Sequence, residues 1–496
     1  MEILNVKEQP RMLRILFIAS EAEPIIKVGG LGDVAGTLPR YLASLSTRDL
    51  DGFKLDIRIA IPFYPTLSDK FIQDKPLISF SIPYRGQSLS GWAYQSSLNN
   101  IPLLLISGSP IESVKTVYSL EADKDMEKFV FFSLAALEIC KLDQWKPDIL
   151  HAHDWHSAPA VYALAQKRTD DSFFKDTKSI LTVHNLPFLG GNATEHYPNF
   201  GLTIETESKL PEWARRIVLP LGLVKADLIT TVSPTYSQEI LTSEFGSGLE
   251  EYLRTRKGSI YGILNGLDKE QWNPETDPSI TQNFSIETLE VKRKNKESLL
   301  RDLGLEVDVD IPLLVSIGRM DYQKGLDLTV HTLRATGNLP WKAVIMGSGN
   351  PAIEAECKKL EGKYPTRVKV IIQYNPSLAR KIYASGDLFL MPSRYEPCGL
   401  SQMIAMRYGC IPLARATGGL KDTILDDPQY TRSTGFLFEE PSSAAMAFCL
   451  QRALMVYSNQ ETWKKIQNNA MQQDFSWHKS ALAYAGLYLD LAGKNK

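Results

Sequence analysis

Two α/β domains, each a doubly wound parallel sheet with helices on both faces, are predicted for this 496-residue chain by three observations. Short unbroken apolar runs, rich in branched residues, alternate with stretches of helical period. Strands covered on both faces read that way, because neither face needs a polar residue. The pattern pauses and then starts afresh near residue 312. Finally, the length exceeds what one hydrophobic core ordinarily fills, so two or three domains are expected.

The elements follow in order. The opening MEILNVKEQPRMLR lacks the apolar core of a secretory signal and contains Glu2 and Glu8, so residues 1–11 are read as a mobile tail. The first half, residues 12–265, draws strands from RILFIA, DIRIAIP, IPLLLIS, DILHAH, SILTVHN and DLITTVS. One helix is expected from Asp33 to Leu45 and another over KFVFFSLAALEIC. The polar stretch NPETDPSITQNFSIETLEVKRKNKESLLRDLGL carries few strand signals and is read as the connection, with the boundary near residues 262–275. The second half, residues 266–475, draws strands from LLVSIGR, KAVIMG, VKVIIQY, DLFLMPS and IPLAR, with a helix over PAIEAECKKLEG. The last segment, HKSALAYAGLYLDLAG, has the spacing of an amphipathic helix.

Composition narrows the function. Hydrophobic residues make up 44% and charged residues 23%, as in soluble globular proteins. The 55 basic and 57 acidic residues give a net charge of -2, with no excess that points to nucleic acid or an anionic membrane. No apolar run reaches the roughly 18 residues of a spanning helix. Five scattered cysteines, without metal spacing, indicate free thiols in a reducing compartment, hence a cytoplasmic protein.

Ligands of doubly wound sheets bind beyond the carboxyl ends of strands, so the residues after each strand carry the chemistry. After RILFIAS comes KVGGLGDVAG. Glycines let a backbone approach a ligand, the following helix aims its N-terminus at the same place, and Lys27 adds a full charge. A phosphate-binding loop and a tight turn with a solvated lysine both fit. A dinucleotide fingerprint does not, because Gly30-x-Gly32 is followed by Gly36, one residue late. MGSGNPA gives Gly347-x-Gly349-x-x-Ala352 in better frame. No acidic residue follows about twenty positions on, so a turn beside a nucleotide is preferred to a dehydrogenase site.

HAHDWHSA places His151, His153, Asp154, Trp155 and His156 after a strand. A metal set is one reading, but His151 and His153 share a strand face and no fourth ligand has zinc spacing. A polar rim beside a sugar, with Trp155 as its flat apolar face, is preferred; packed histidines with Asp154 as a helix cap are the bland alternative. His184, after SILTV, either donates to a hydroxyl or phosphate or is an ordinary structural histidine. Arg319 and Lys324 in GRMDYQKGLD, with Asp327 beyond, either neutralise a diphosphate or form a solvated basic turn. Glu396 precedes Pro397, Cys398 and Gly399 at the start of a helix, and IPLARATGGLKDT puts a further glycine pair at a strand end. Polar strand-end loops in both halves suit a phosphorylated small molecule and a second substrate.

KVGGLGDVAGTLPR, HAHDWH, TVHN, ILNGLD, GRMDYQKGLDL, RYEPCGLSQ and TGGLKDT, in this order, resemble bacterial glycogen synthases and plant starch synthases over roughly residues 12–440. These are retaining glucosyltransferases of the GT-B fold, two Rossmann-like domains facing a central cleft. The resemblance implies transfer of glucose from ADP-glucose to the non-reducing 4-hydroxyl of an α-1,4-glucan with retention of configuration, without metal or cofactor. It makes residues 12–265 the acceptor side, rejoined by a C-terminal helix over residues 476–496, and residues 266–475 the nucleotide-sugar side.

The resemblance also implies roles. Lys27 would meet the donor phosphates, with Gly29 and Gly30 in backbone contact and Asp33 nearby. His184 and Asn185 in TVHN and Asn265 in ILNGLD would lie beside the transferred sugar, and Asp154, Trp155 and His156 on the sugar and acceptor side. Arg319 and Lys324 would stabilise departing ADP, and Tyr374 in QYNPS would stack on the base. Glu396 would hold the transferred glucose, with Cys398, Gly399, Leu400 and Ser401 binding substrate. Retention without an evident nucleophile implies front-face departure, since the position eight residues after Glu396 is Ile404 rather than a second carboxylate. The alternatives are UDP-glucose as donor, another GT-B nucleotide-sugar enzyme, and a silent glucan-binding protein.

Overall fold

The run RMLRILFI becomes strand β1 (Arg11–Ile18), buried from Ile15 onward. It lies near the middle of a sheet in the computed structural model, which describes residues 10–67, 75–205 and 209–493. Most of the tail expected over residues 1–11 falls outside those residues. The chain divides into two compact units.

The first unit takes the chain up to Val232, Ser237–Gly266 and the segment from Trp477. Beside β1 it holds β2 (Phe53–Pro62), β3 (Ile78–Tyr84), β4 (Gln87–Leu98), β5 (Ile101–Gly108), β6 (Ile149–His153), β7 (Lys178–Val183), β8 (Leu228–Thr231) and β9 (Ile260–Gly262). Among the described residues they form one nine-stranded sheet in the order β3-β4-β5-β2-β1-β6-β7-β8-β9. The β3-β4-β5 edge is antiparallel and the remainder parallel. The six predicted runs of this half are six of its strands; the β3–β4 hairpin was not predicted. Its strands alternate exposed and buried residues, as one-sided edge strands do, and so contain no unbroken apolar run.

The first helix, α1, spans Gly30–Ala43 rather than Asp33–Leu45. The sequence reading assigned Gly30, Leu31 and Gly32 to the loop, whereas they form the first helical turn. Helices α2 (Ala122–Leu142) and α3 (Asp154–Asp170) follow. The C-terminal helix Trp477–Leu491 packs into this unit, with Trp477, Tyr484 and Tyr488 in one apolar cluster with Leu13, Phe17, Val34 and Leu38. Its arrival fixes a glycine: a Cβ at Gly266 would come within 2.5 Å of the Trp477 backbone.

The second unit comprises Ser233–Tyr236 and Leu267–Ser476. Its strands β10 (Leu313–Ile317), β11 (Lys342–Met346), β12 (Val368–Ile371), β13 (Leu388–Met391), β14 (Ile411–Arg415) and β15 (Phe436–Phe438) form a parallel sheet in the order β12-β11-β10-β13-β14-β15. The polar stretch read as a connection contains helix α4 (Lys292–Asp302), which packs within this unit. Its buried face is carried by lysines as well as leucines. Lys292 Nζ donates to the carbonyls of Tyr383 and Ala384 at 3.1 and 2.8 Å, and Lys296 Nζ to Asp387 at 2.6 Å. Helix α5 (Leu326–Ala335) follows β10, and α6 (Ser401–Arg407) follows β13.

Each sheet has a point where strand order reverses. In the first it lies between β1 and β6, and in the second between β10 and β13. Crossovers leave in opposite directions there, opening a crevice beyond the carboxyl ends of the two strands. Among the described residues no helix is long and apolar enough to cross a membrane.

Candidate active site

Beyond β1 the chain turns through Ser20–Gly29 into α1. Lys27 Nζ lies 2.9 Å from Glu23 Oε2 and 2.6 Å from Asp33 Oδ1, held between two carboxylates. Burial alone lowers the Lys27 pKa, but Asp33 and Glu23 outweigh it and hold the ammonium charged. Burial pushes Asp33 up to about 7, and the competing Glu23 carboxyl adds to the rise against the pull of Lys27. Gly36 serves the same turn, because a Cβ there would sit 2.2 Å from the Glu23 carbonyl oxygen.

Beyond β6, Asp154 starts α3 with a left-handed backbone (φ 56°) that Asp tolerates better than most residues. Its buried carboxylate accepts the His184 N–H at 2.7 Å, tying the β6 loop to the β7 loop. Burial pushes Asp154 up to about 7, against hydrogen bonds from the His184 and Asn185 amides. His153 Nδ1 and His184 Nε2 are 2.9 Å apart. Burial depresses both rings, His184 to about 3, so they are neutral at ordinary pH. His156 is likewise depressed by burial and stacks on Tyr118 at 4.9 Å. Trp155 packs on Gly190, where a Cβ would come within 2.8 Å of its ring.

His151 belongs to a different task. Its Nδ1 meets Tyr488 Oη on the C-terminal helix and its Nε2 meets Thr182 Oγ1, both at 2.7 Å. With both nitrogens engaged it joins no ligand set. The group of His, Asp and Glu side chains close enough to share an ion is elsewhere among the described residues: Asp123, Glu195 and His196, ligand atoms within 4.8 Å, two of the three exposed.

The buried polar atoms of this unit without a hydrogen-bond partner include four on residues at or just past strand ends: His153 Nε2, His156 Nδ1, Asn185 Oδ1 and Asn265 Oδ1. Buried polar atoms are nearly always paired, so four on strand-end residues mark a place prepared for polar groups from outside the chain.

In the second unit, Lys324 Nζ reaches Glu396 Oε2 at 2.6 Å, and Ser393 Oγ donates to the same oxygen at 3.0 Å. The Glu396 side chain is 7% exposed and that of Lys324 23%. The turn carrying Lys324 is built by Asp321, which accepts the Lys324 N–H at 2.9 Å, and by Gly325, left-handed with φ 69°. A Cβ on Gly325 would lie 2.1 Å from the Pro392 carbonyl, so this glycine lets the β10 and β13 loops touch. Arg319 is more open, pairing with Asp321 at 2.6 Å and Gln323 at 2.9 Å. Opposite Glu396, the glycine pair of ATGGLKDT presses on the EPC backbone: Cβ atoms at Gly418 and Gly419 would lie 2.0 Å from the carbonyls of Glu396 and Cys398. Tyr374, 61% exposed, stands in the loop before helix Pro376–Ser385.

The arrangement is two strand-end sites, each at a switch point. One offers an ammonium and unpaired polar atoms, the other a buried carboxylate paired with Lys324, with Arg319 on the same β10 loop as that lysine. The sequence matches the family model for a starch synthase catalytic domain over residues 14–255, and that for glycosyl transferases group 1 over residues 304–473. It is 38% identical over 492 residues to a glycogen synthase of Geotalea daltonii, covering 98% of this chain and 100% of that one. The chain belongs to the glycogen and starch synthase family.

Structural comparison agrees with this family. The catalytic domain of starch synthase IV from Arabidopsis thaliana, solved bound to ADP and acarbose, superposes with a TM-score of 0.84 at 32% identity, covering 98% of this chain and 99% of that one. A sucrose-phosphate synthase from Thermosynechococcus elongatus, at 18% identity and TM-score 0.60, shares the fold. As a member of the glycogen and starch synthase family the protein is a retaining glucosyltransferase of the GT-B fold.

Within this synthase several nominated residues carry structural duties as well. Gly29 donates its N–H to the Glu21 carboxylate. Cys398 is buried, Gly399 is left-handed with φ 73°, Leu400 is the residue before α6, and Ser401 opens that helix. Gly347 is not a dinucleotide glycine: a Cβ there would meet the Gly318 carbonyl at 1.8 Å, so it lets the β10 and β11 loops approach. The sequence reading missed Glu21, Tyr118 and Ser393. Glu21 lay in view in the SEAEP segment just before KVGG, but a lone carboxylate in a turn carries no signal until its partners are placed.

Proposed function

We propose that the enzyme transfers glucose from ADP-glucose to the non-reducing 4-hydroxyl of an α-1,4-glucan. The observation that carries this reading is the Lys324–Glu396 pair at 2.6 Å, with Arg319 nearby, at the switch point of the second sheet. In this reading Arg319 and Lys324 stabilise the diphosphate as the glycosidic bond breaks. Preoriented charge aimed at developing charge is the largest ordinary source of catalysis. Glu396 orients the transferred glucose, Tyr374 stacks on the adenine, and α6, with Cys398 to Ser401, borders the donor. Lys27 meets the donor phosphates, and the unpaired His153, His156, Asn185 and Asn265 atoms of the first unit suit sugar hydroxyls. His184, Asp154 and Trp155 shape that sugar pocket.

Retention follows from departure and attack on one face of the sugar. The bond between the anomeric carbon and the phosphate oxygen breaks with its electron pair on oxygen. The acceptor 4-hydroxyl attacks from the same side, and its proton passes to the leaving phosphate. No covalent enzyme intermediate is needed, so the protein's work is positioning and charge stabilisation. The five cysteines, all buried and none in a disulfide, accord with a cytoplasmic enzyme.

The test is transfer of labelled glucose into glycogen from ADP-glucose and from UDP-glucose at equal concentration, with the anomer of the new linkage read by NMR. Fast α-linked transfer from ADP-glucose is expected. Preference for UDP-glucose overturns the assignment of the base, and β-linked product overturns the mechanism.

A further inference from the structure

Glu21 is a buried carboxylate beyond β1 that the chemistry above does not use. It is 1% exposed, and a buried carboxylate must find donors. It finds them in the Lys27 loop. The Val28 N–H donates to Oε2, and the Gly29 N–H donates to both oxygens, at 3.0 Å to Oε2 and 3.2 Å to Oε1. Tyr118 Oη donates to Oε1 at 3.2 Å. Tyr118 is itself held 3.1 Å from Ser20 Oγ and stacked on His156. A Cβ at Gly32 would come within 3.2 Å of Glu21 Oε2 and 3.0 Å of Lys27 Cγ, so carboxylate, amides and lysine stem share one small volume.

Two successive backbone amides converging on one anion form a nest, and an anion seated in it fixes the backbone on either side. Here the anion belongs to the chain. The residue directly before that pair of amides is Lys27.

We propose that Glu21 is a positioning residue for Lys27: its carboxylate holds the Val28 and Gly29 amides and so fixes the direction in which the ammonium meets the donor phosphates. The proposal rests on the donor reading above. It demands two acceptor oxygens. A glutamine at this position offers one, and turns an NH2 group toward an amide that needs an acceptor. An aspartate keeps the charge but falls one methylene short.

A double-mutant cycle tests this with the full-length enzyme. Glu21→Gln is expected to lower kcat/KM for ADP-glucose roughly 10- to 100-fold, with KM for glycogen unchanged and the thermal midpoint close to that of the unaltered enzyme. In a Lys27→Ala background the same substitution is expected to cost less than about twofold more, because nothing is left to position. A merely structural role gives losses that multiply. Tyr118→Phe, which removes only the hydroxyl steadying Oε1, runs the same cycle with a smaller loss where Glu21→Gln lowers the yield of folded enzyme. Multiplying losses, or an unchanged kcat/KM in both Glu21→Gln and Tyr118→Phe, overturn the proposal. Failure of the unaltered enzyme to transfer glucose from ADP-glucose removes the donor reading and this proposal with it, whereas transfer with multiplying losses removes this proposal alone.

Discussion

Replacing Lys324 by Met separates two things that one ammonium does. In the folded protein it is paired with Glu396 at 2.6 Å, and the carboxylate it leaves behind is 7% exposed. Breaking a buried pair from one side costs roughly 3–5 kcal/mol. Lys324 is itself 23% exposed and Ser393 still donates to Glu396 at 3.0 Å, which brings the expectation to about 2–3 kcal/mol. For a unit of this size that is a fall of roughly 5–10 °C in thermal midpoint. In the reaction, loss of a cation aimed at the leaving phosphate is expected to cost about 3–4 kcal/mol of barrier, or 10²–10³ in kcat. The two effects part company when Glu396→Gln is added. A neutral amide beside a neutral thioether leaves no buried charge, so the double variant regains most of the thermal midpoint and none of the kcat. Differential scanning fluorimetry and ADP release, measured on the two singles and the double, supply the numbers. A double variant as unstable as Lys324→Met refutes the charge argument, and a Lys324→Met enzyme keeping more than about a tenth of kcat refutes the phosphate role.

Three further outcomes are expected. His151 and His184 are held by burial near 3, against 6.5 in a free chain, so between those limits the unfolded state binds more protons and stability falls as pH falls. Each contributes about 1.4 kcal/mol per pH unit in that window, while Asp33 and Asp154, raised to about 7, oppose it above about pH 4. His153 and His156, depressed by burial as well, act in the same direction as His151 and His184. His151→Gln removes one such contribution, so the pH dependence of stability between pH 6.5 and 5, measured by urea denaturation, loses part of its acid-side destabilisation, and an unaltered slope counts against neutral burial. Gly266→Ala drives a methyl to 2.5 Å from the Trp477 backbone and is expected to cost about 3 kcal/mol or more, seen as loss of the C-terminal helix to proteolysis before the rest unfolds. Tyr374→Ala raises KM for ADP-glucose by roughly tenfold or more with kcat nearly unchanged, since base stacking is worth about 1–3 kcal/mol; a fall in kcat alone contradicts a base-stacking role.

What the sequence made legible is what local pattern encodes. LLVSI, KAVIM and LFLM are strands because an unbroken apolar run between turns has few other places to go. Lys27, Arg319, Lys324 and Glu396 stood out because they follow such runs. What stayed hidden needs partners far away in the chain. The buried face of α4 relies on Lys292 and Lys296, whose ammonium groups are satisfied by carbonyls and a carboxylate about 90 residues on, so its pattern reads as polar linker. His151 and His153 look alike in HAHDWH, yet one is tied to Tyr488 and the other to His184. Gly347 and Gly349 imitate a nucleotide fingerprint because close approach of two loops demands the same residue as close approach of a phosphate.

One regularity joins the cations of the two strand-end sites. Lys27 lies between Glu23 and Asp33, Lys324 on Glu396, and Arg319 on Asp321. On the proposed reaction, a donor phosphate must draw these cations away from carboxylates they already hold. Exchange of one anion for another gains little when the diphosphate is still esterified to glucose, because both partners then bear comparable charge. As the glycosidic bond breaks, the leaving phosphate gains charge that a carboxylate does not, and the balance tips toward it. Interactions that strengthen only at that moment lower the barrier without tightening ground-state binding. The carboxylates thus keep each cation aimed, and make its attraction to phosphate greatest in the transition state.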